Sequence, residues 1–412
     1  MPPEKTKKKS SDMHHLTRDD VSPEDKPLHT AFNLHIRALC QLLKASDIPS
    51  TPSDETMRAV RERIGSADAL AELKAKIRAA KSFNEGVNMA QALRRTVNIH
   101  RTPIAKNIGR IKDSLLRTMF SAVAVAGLQN FCPDVLGSSD SLYNRVHQMV
   151  AVQSFQVVAT GWGYAHLKVD LEKVENEGLL EQFWESFVFS YLANLARKEM
   201  RKGPGAVAAA IADSNVYRRR QELGLHRKDF LVAELFPAHT IRILEDVECH
   251  SDDEGPVANP ADPRNPKYNI NKKTARNPYI TDFFRELDQR RFNAADGLGK
   301  AQYLVKERNR AYTEADAKDT KISRRFPPNA TVDWFDPEYF NKLPVSIRAL
   351  YRDAGVALPL PARAQENWQK LSEDDFMAEY GDEVLGLYSF PTDSDMERGD
   401  EDEVDDMMQD DT

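Results

Sequence analysis

Large apolar residues return at every third or fourth position through most of this chain, and Pro and Gly punctuate the runs. In "LLEQFWESFVFSYLANLARKEMRKGPG", Leu180, Trp184, Phe187, Tyr191 and Leu195 keep that spacing until Gly203-Pro204-Gly205 stops it. A period near 3.6 suits a helix with one buried face; half-buried strands need alternation. Only "VVATGW" and "HTIRILEDV" read as short strands, and both also fit helices. The expected fold class is therefore mainly α, a multi-helix body with a long loop, a helical extension and disordered N- and C-terminal tails.

The punctuation sets the expected boundaries. A polar N-terminal tail covers 1–28 and a helical body 29–250. A Pro/Asn/Asp-rich loop covers 251–278 and a helical extension 279–325. An aromatic module around "VDWFDPEYFNKLP" covers 326–361, and an acidic tail 362–412. With 412 residues, 41% of them hydrophobic, one large or two ordinary domains are affordable. Within the body, one helix is expected over about 54–81 and another over about 103–128, capped by Thr102 with Pro103 in its first turn. On the latter, Ile104, Ile108, Ile111, Leu115, Met119 and Ala122 form an apolar stripe opposite Lys106, Arg110 and Arg117. In the aromatic module Asp336 caps a helix opened by Pro337, and Trp334, Phe335, Tyr339 and Phe340 dock on the body or on a partner.

Net charge is −7, but it is unevenly laid out: residues 372–412 carry 17 acidic side chains and one arginine, which leaves the rest of the chain net basic. Such an acidic block either solvates the protein or competes for a basic surface that otherwise meets a polyanion. Three distant cysteines encode neither a disulfide framework nor a paired-thiol zinc site. No apolar run reaches the length of a membrane span, and "KTKKKS" has the composition of a nuclear import signal, so a soluble intracellular protein is expected, with the nucleus as a candidate compartment.

Few short motifs carry chemistry. "ECHSDDEG" lines up Cys249, His250, Ser251 and three acids, but neighbouring side chains diverge and no second ligand pair follows, so no metal and no cofactor is expected. The run sits where apolar periodicity fades, as an acidic loop would. Ser251, Ser372 and Ser394 precede acidic residues, a context that acid-directed kinases favour. "DGLGKAQ" lacks the spacing of a phosphate loop, and "GWG" at 161–163 reads as a turn. No catalytic residue is assigned.

Two basic clusters remain. Arg94, Arg95, Arg101, Lys106, Arg110 and Arg117 form one; Arg218, Arg219 and Arg220 form the other, with Arg197, Lys198, Arg201 and Lys202 upstream of it. Either could engage phosphates, or could solvate helix faces beside glutamates.

The run "NVYRRRQELGLHRKDFLVAELFP", the "HSDDE" loop and the Trp-Phe-Asp-Pro module together resemble a multicopy protein family of mushroom-forming fungi, over roughly residues 215–361. Multiplicity implies a mobile-element association, and nothing catalytic carries over. The leading expectation is a non-enzymatic nuclear protein that contacts nucleic acid or chromatin through basic helix faces, modulated by its acidic tail. The alternative is a protein-interaction adaptor using the acidic-aromatic stretch that holds Phe376 and Tyr380. An enzyme ranks third.

Overall fold

The computed structural model describes residues 14–17, 20–65, 67–79, 84–100, 102–251, 253–257, 267–270, 273, 275–297, 309–311, 326–364 and 366–392. The fold is mainly α. The chain divides into two compact units, Met1–Ala212 and Asp213–Thr412, each with its own apolar core. The body expected over 29–250 is thus two bodies, and the boundary falls inside a helix, where no Pro or Gly marks it.

The first unit contains α1 (Lys26–Leu39), α2 (Asp54–Arg63), α3 (Ala67–Arg78), α4 (Asn84–Ile99), α5 (Pro103–Gly109), α6 (Asp113–Val125), α7 (Leu142–Thr160), α8 (Glu177–Glu185) and α9 (Ala193–Lys202). α7 is the central helix, buried on nearly every side through residues such as Val146, Val150, Phe155 and Val158. Phe32 of α1 meets Phe155 edge-on at 5.0 Å, and Trp184 of α8 meets Phe131. Two buried histidines are built into this core. His35 bonds Ser154 Oγ at 2.8 Å and Tyr164 Oη at 2.6 Å, and Ser154 in turn donates to the Val150 carbonyl. His147 Nδ1 bonds the Tyr143 carbonyl at 2.9 Å. Burial holds His35 down to about 3 and His147 down to about 4, so both are neutral imidazoles.

Three expected helices are interrupted. The 54–81 helix breaks at Ile64–Gly65 into α2 and α3, and Ser53 caps α2 by accepting from Thr56 N. The 103–128 helix breaks between Gly109 and Asp113, although Ile108, Ile111, Met119 and Ala122 still face the core as the stripe predicts. Between α8 and α9 the chain stays helical but passes through a π-turn, Ser186–Leu192. That wider turn shifts the helical phase, so Leu180, Trp184 and Phe187 are buried while Tyr191 is 40% exposed. The N-terminal tail is shorter than expected: Leu16 packs on the core, Val21 and Leu28 lie in it, and α1 already begins at Lys26.

The second unit opens with the rest of α10 (Ala206–Ala233), followed by α11 (Ala238–Arg242), α12 (Pro278–Gly297), α13 (Pro337–Phe340), α14 (Val345–Ala349), α15 (Glu373–Phe376) and α16 (Asp382–Leu385). The expected loop over 251–278 and the extension after it contribute a small sheet: β1 (Asp253–Val257) pairs antiparallel with β2 (Lys267–Ile270), which pairs parallel with β3 (Asn309–Ala311). Alternation of Tyr268 and Ile270 is the only strand signal there, too short to stand out among Pro and Asn.

The aromatic module docks on its own unit. Trp334, Phe335 and Phe340 are buried and Tyr339 half-buried, with Phe335 against Trp334, Phe340 and Tyr351 at 4.8–5.5 Å. Asp336 caps α13 as expected, accepting from Tyr339 N. Much of the acidic tail belongs to this core as well: Phe376, Tyr380, Val384 and Tyr388 are buried, and Tyr388 donates to the Phe335 carbonyl at 2.9 Å. The expected disordered segment 362–412 is therefore folded through 362–364 and 366–392, because its acids interleave with aromatics at helical spacing and the aromatics face inward.

Candidate nucleic-acid interface

The break between α5 and α6 has an identifiable cause. Arg94, on α4, donates to the Gly109 carbonyl at 2.9 Å and the Ile111 carbonyl at 2.6 Å, and pairs with Asp113 at 2.5 Å. Its guanidinium satisfies carbonyls that the interrupted helix leaves open. Arg94 is a strut, with its side chain 23% exposed and both terminal guanidinium nitrogens engaged by these contacts. What it holds up is basic. Arg95, Lys106 and Arg117 are exposed on the same three helices, with Arg110 and Lys112 exposed in the break between α5 and α6, and Arg95 and Arg117 share a recess of about 340 Å³ with Gln91 and Asp113. Arg101 lies outside the described residues.

An aromatic group completes this ridge. At the end of α7, Trp162 sits in a left-handed turn at φ +63° and is 67% exposed. A side chain in that conformation costs roughly 1–2 kcal/mol in an L-residue other than glycine. Space demands glycine most firmly at 163, where a Cβ would lie 2.6 Å from Val158 Cγ1 and 2.9 Å from the Val158 carbonyl oxygen; a Cβ at Gly161 would lie 2.7 Å from Leu115 Cδ2. Leu115 belongs to the first turn of α6, one turn after Lys112 and two residues before Arg117, so the tryptophan turn presses on the basic helix. Burial and the charge of Arg110 together hold His166 below its ordinary value, which places Arg110 beside the same turn. Lys168, also left-handed at φ +58°, is exposed there.

The second basic cluster divides. Arg218 is exposed, with Asn215 at 3.3 Å and Glu222 at 3.9 Å; Arg219 is half-buried. Arg220 is buried and pairs with Glu248 at 2.5 Å, so it is not a phosphate-binding side chain in this structure. It belongs to a polar knot around Glu248–Ser251, the first half of the "ECHSDDEG" run, which lies inside the second unit instead of on an acidic loop. Cys249, His250 and Ser251 are all buried. Arg227 donates to His250 Nδ1 at 3.0 Å and makes two bonds to Asp288, at 2.9 and 2.5 Å, while His250 Nε2 donates to the Leu244 carbonyl at 3.1 Å. Arg276 and Trp334 donate to the Cys249 carbonyl, at 3.1 and 3.4 Å. Lys273 donates to the Glu248 carbonyl.

Within this knot Cys249 and His250 are held in their uncharged forms. Burial raises the Cys249 thiol well above its ordinary value; burial and the Arg227 charge push His250 well below its own. A neutral thiol and a neutral imidazole with both nitrogens engaged offer neither nucleophile nor base. Gly224 of α10 makes the approach possible: a Cβ there would lie 2.5 Å from His250 Nε2. Among the described residues no three metal-ligating side chains converge.

The serines are also placed. Ser251 is buried and closed to a kinase in this fold. Ser372 is exposed and caps α15, accepting from Asp375 N at 3.2 Å and donating to Asp375 Oδ2 at 2.7 Å. Ser394 lies outside the described residues. Phe376 and Tyr380, expected to meet a partner, are core residues: Phe376 stacks on His239 with ring centres 4.2 Å apart, and Tyr380 donates to Glu366 at 2.7 Å. No helix among the described residues is long and apolar enough to cross a membrane.

Sequence reasoning passed over Trp162, Lys112 and Lys168. The signal was the GWG triplet itself: a tryptophan between two glycines at a helix end has little to bury against.

A family model for a domain of unknown function, DUF8263, matches residues 197–398. No curated protein and no solved structure matches the chain. The matched range takes in most of the second unit, whereas the basic ridge and the Trp162 turn lie before it.

Proposed function

We propose that the protein is a non-enzymatic nuclear protein that contacts nucleic acid through the basic ridge of the first unit, with Trp162 stacking on an unpaired base. The observation that carries this reading is the exposed Trp162, held in a costly left-handed turn against the helix that presents Lys112 and Arg117. A large apolar ring kept out of a core at the expense of backbone strain fits a contact role. Aromatic platforms between cations are how single strands are gripped without sequence preference, each stacked base contributing about 1–3 kcal/mol. Phosphates would meet Arg95, Lys106, Arg110 and Arg117, and each contact would release counterions. The acidic stretch after Thr392, which lies outside the described residues, would compete for the same ridge. The adaptor reading has lost its aromatic anchors, since Phe376 and Tyr380 are buried.

Fluorescence anisotropy with labelled single-stranded RNA and duplex DNA, at two salt concentrations, tests the proposal. Binding is expected to favour the single strand and to weaken steeply with salt. Replacing Trp162 by glycine should weaken single-strand binding about 10-fold, the loss of one stacked base. The same change should leave the melting temperature equal or higher, because glycine adopts the turn without strain. Arg110→Glu with Arg117→Glu should lower affinity and flatten the salt dependence together. Undiminished binding by both variants would sink the assignment.

A further inference from the structure

The first unit encloses a second feature, independent of the basic ridge: a pocket of about 660 Å³ between α1, α5 and the π-turn. Its size suits a drug-sized organic molecule. The walls are largely apolar, with Leu34, Ile104 and Leu195 among them. Across its edge run His15 and Leu16, fixed to the π-turn by a His15 Nδ1 to Ser190 Oγ contact at 3.2 Å and a Leu16 N to Ser186 Oγ bond at 3.3 Å. π-turns recur at functional sites because the extra residue frees groups that a regular helix would commit to itself.

The telling residue is Arg37. It lines the pocket at 7% exposure, stacked over Phe187 at 5.4 Å and Tyr191 at 5.7 Å from the ring centres. Its hydrogen bonds are long ones to neutral acceptors, the Lys44 carbonyl at 3.2 Å and Tyr191 Oη at 3.4 Å. No described carboxylate pairs with it, and no Asp or Glu lines the pocket. Arg37 is thus the one permanently charged side chain among the lining residues. A guanidinium so deeply buried ordinarily has an anionic partner, because desolvating an unpaired charge is expensive. Nearby, the Asn33 amide oxygen is buried with no bonding partner, and burial holds His29 below its ordinary value, so that ring adds no competing charge at neutral pH.

We infer that this pocket binds a small organic carboxylate with an apolar body, its carboxylate on Arg37 and its body along Leu34, Ile104 and Leu195. Isothermal titration calorimetry of the full chain with decanoate and, separately, decylamine tests this, since the two probes share a chain and differ in the sign of the head group. Saturable one-to-one binding of decanoate is expected, with decylamine at least 10-fold weaker. Arg37→Met, which keeps the stacked bulk and removes the charge, should weaken decanoate at least 10-fold. Should that variant fail to fold, Ile104→Trp decides: it fills the pocket, leaves Arg37 in place, and should abolish binding. No saturable heat with decanoate, equal binding of decylamine, or retained affinity in a folded variant of either kind overturns the inference.

Discussion

Deleting residues 372–412 should unfold the second unit, whereas deleting only residues 393–412 should leave it folded. The acidic composition of the whole segment suggests one dispensable tail, but the structure splits it. Up to Tyr388 the segment supplies core: Phe376, Tyr380, Val384 and Tyr388 are each no more than 6% exposed. Phe376 fills the space between His239 and Trp368, and Tyr388 packs edge-on against Phe340 with ring centres 5.3 Å apart. Arg363 ties the segment down from outside through Glu379 and Glu383, each at 3.3 Å. Removing one buried aromatic side chain costs about 3–5 kcal/mol. Losing three of them together reaches the whole stability of an ordinary domain, about 5–15 kcal/mol. Circular dichroism and thermal unfolding of the two truncations check this, and a cooperative second-unit transition surviving the longer deletion would refute it. A test of the proposed competition between the acidic tail and the basic ridge therefore truncates at Thr392, which still takes away eleven acidic residues.

Charge composition misled at the tail for the same reason that periodicity misled elsewhere: both describe one segment, while partners come from distant ones. The stripe from Ile104 to Ala122 was legible and faces the core, yet the interruption within it depends on Arg94, a residue on a different helix. Arg94 itself was legible as basic but not as a strut, because its partners are backbone carbonyls, which have no letter in the sequence. The "ECHSDDEG" run shows the converse. Its polarity reads as surface, but over Glu248–His250 it is satisfied by Arg227 from α10 and by Lys273 and Arg276 from the turn before α12, and Gly224 opens the room for His250. Helix type and caps such as Thr102 and Asp336 needed only local pattern, whereas local pattern marked the aromatic module as docking without saying on what. The two-unit division, the small sheet, the π-turn and the Arg37 pocket all required long-range packing.

Acid should begin to destabilise the first unit well above the range in which carboxylates titrate. His35 and His147 are fully buried and held to about 3 and about 4, against an ordinary value of 6.5. Both shifts are depressions, so the unfolded chain binds protons that the folded chain refuses. The associated stability is complete above pH 6.5 and drains away as pH falls toward the folded values. Between pH 7 and pH 5 each histidine gives up about 2 kcal/mol, and the pair about 4 kcal/mol. Half-buried His29 is lowered too and pulls in the same direction. The carboxylates held low by partners, Glu177 by Lys74 and Asp25 by Lys173, add to acid lability only below about pH 4.5, so the higher window isolates the imidazoles. Hydrogen exchange of peptides from α7, corrected for the intrinsic pH dependence of exchange, reads the first unit alone. Protection should fall by about two powers of ten per pH unit between 6 and 5, the signature of two protons taken up on opening. A protection factor that stays level from pH 7 to 5 would mean that the imidazoles gain protons without opening the fold. The Ser154–His35–Tyr164 chain would then have to accommodate an imidazolium, which it can do only if Tyr164 turns its hydroxyl away and accepts instead of donating.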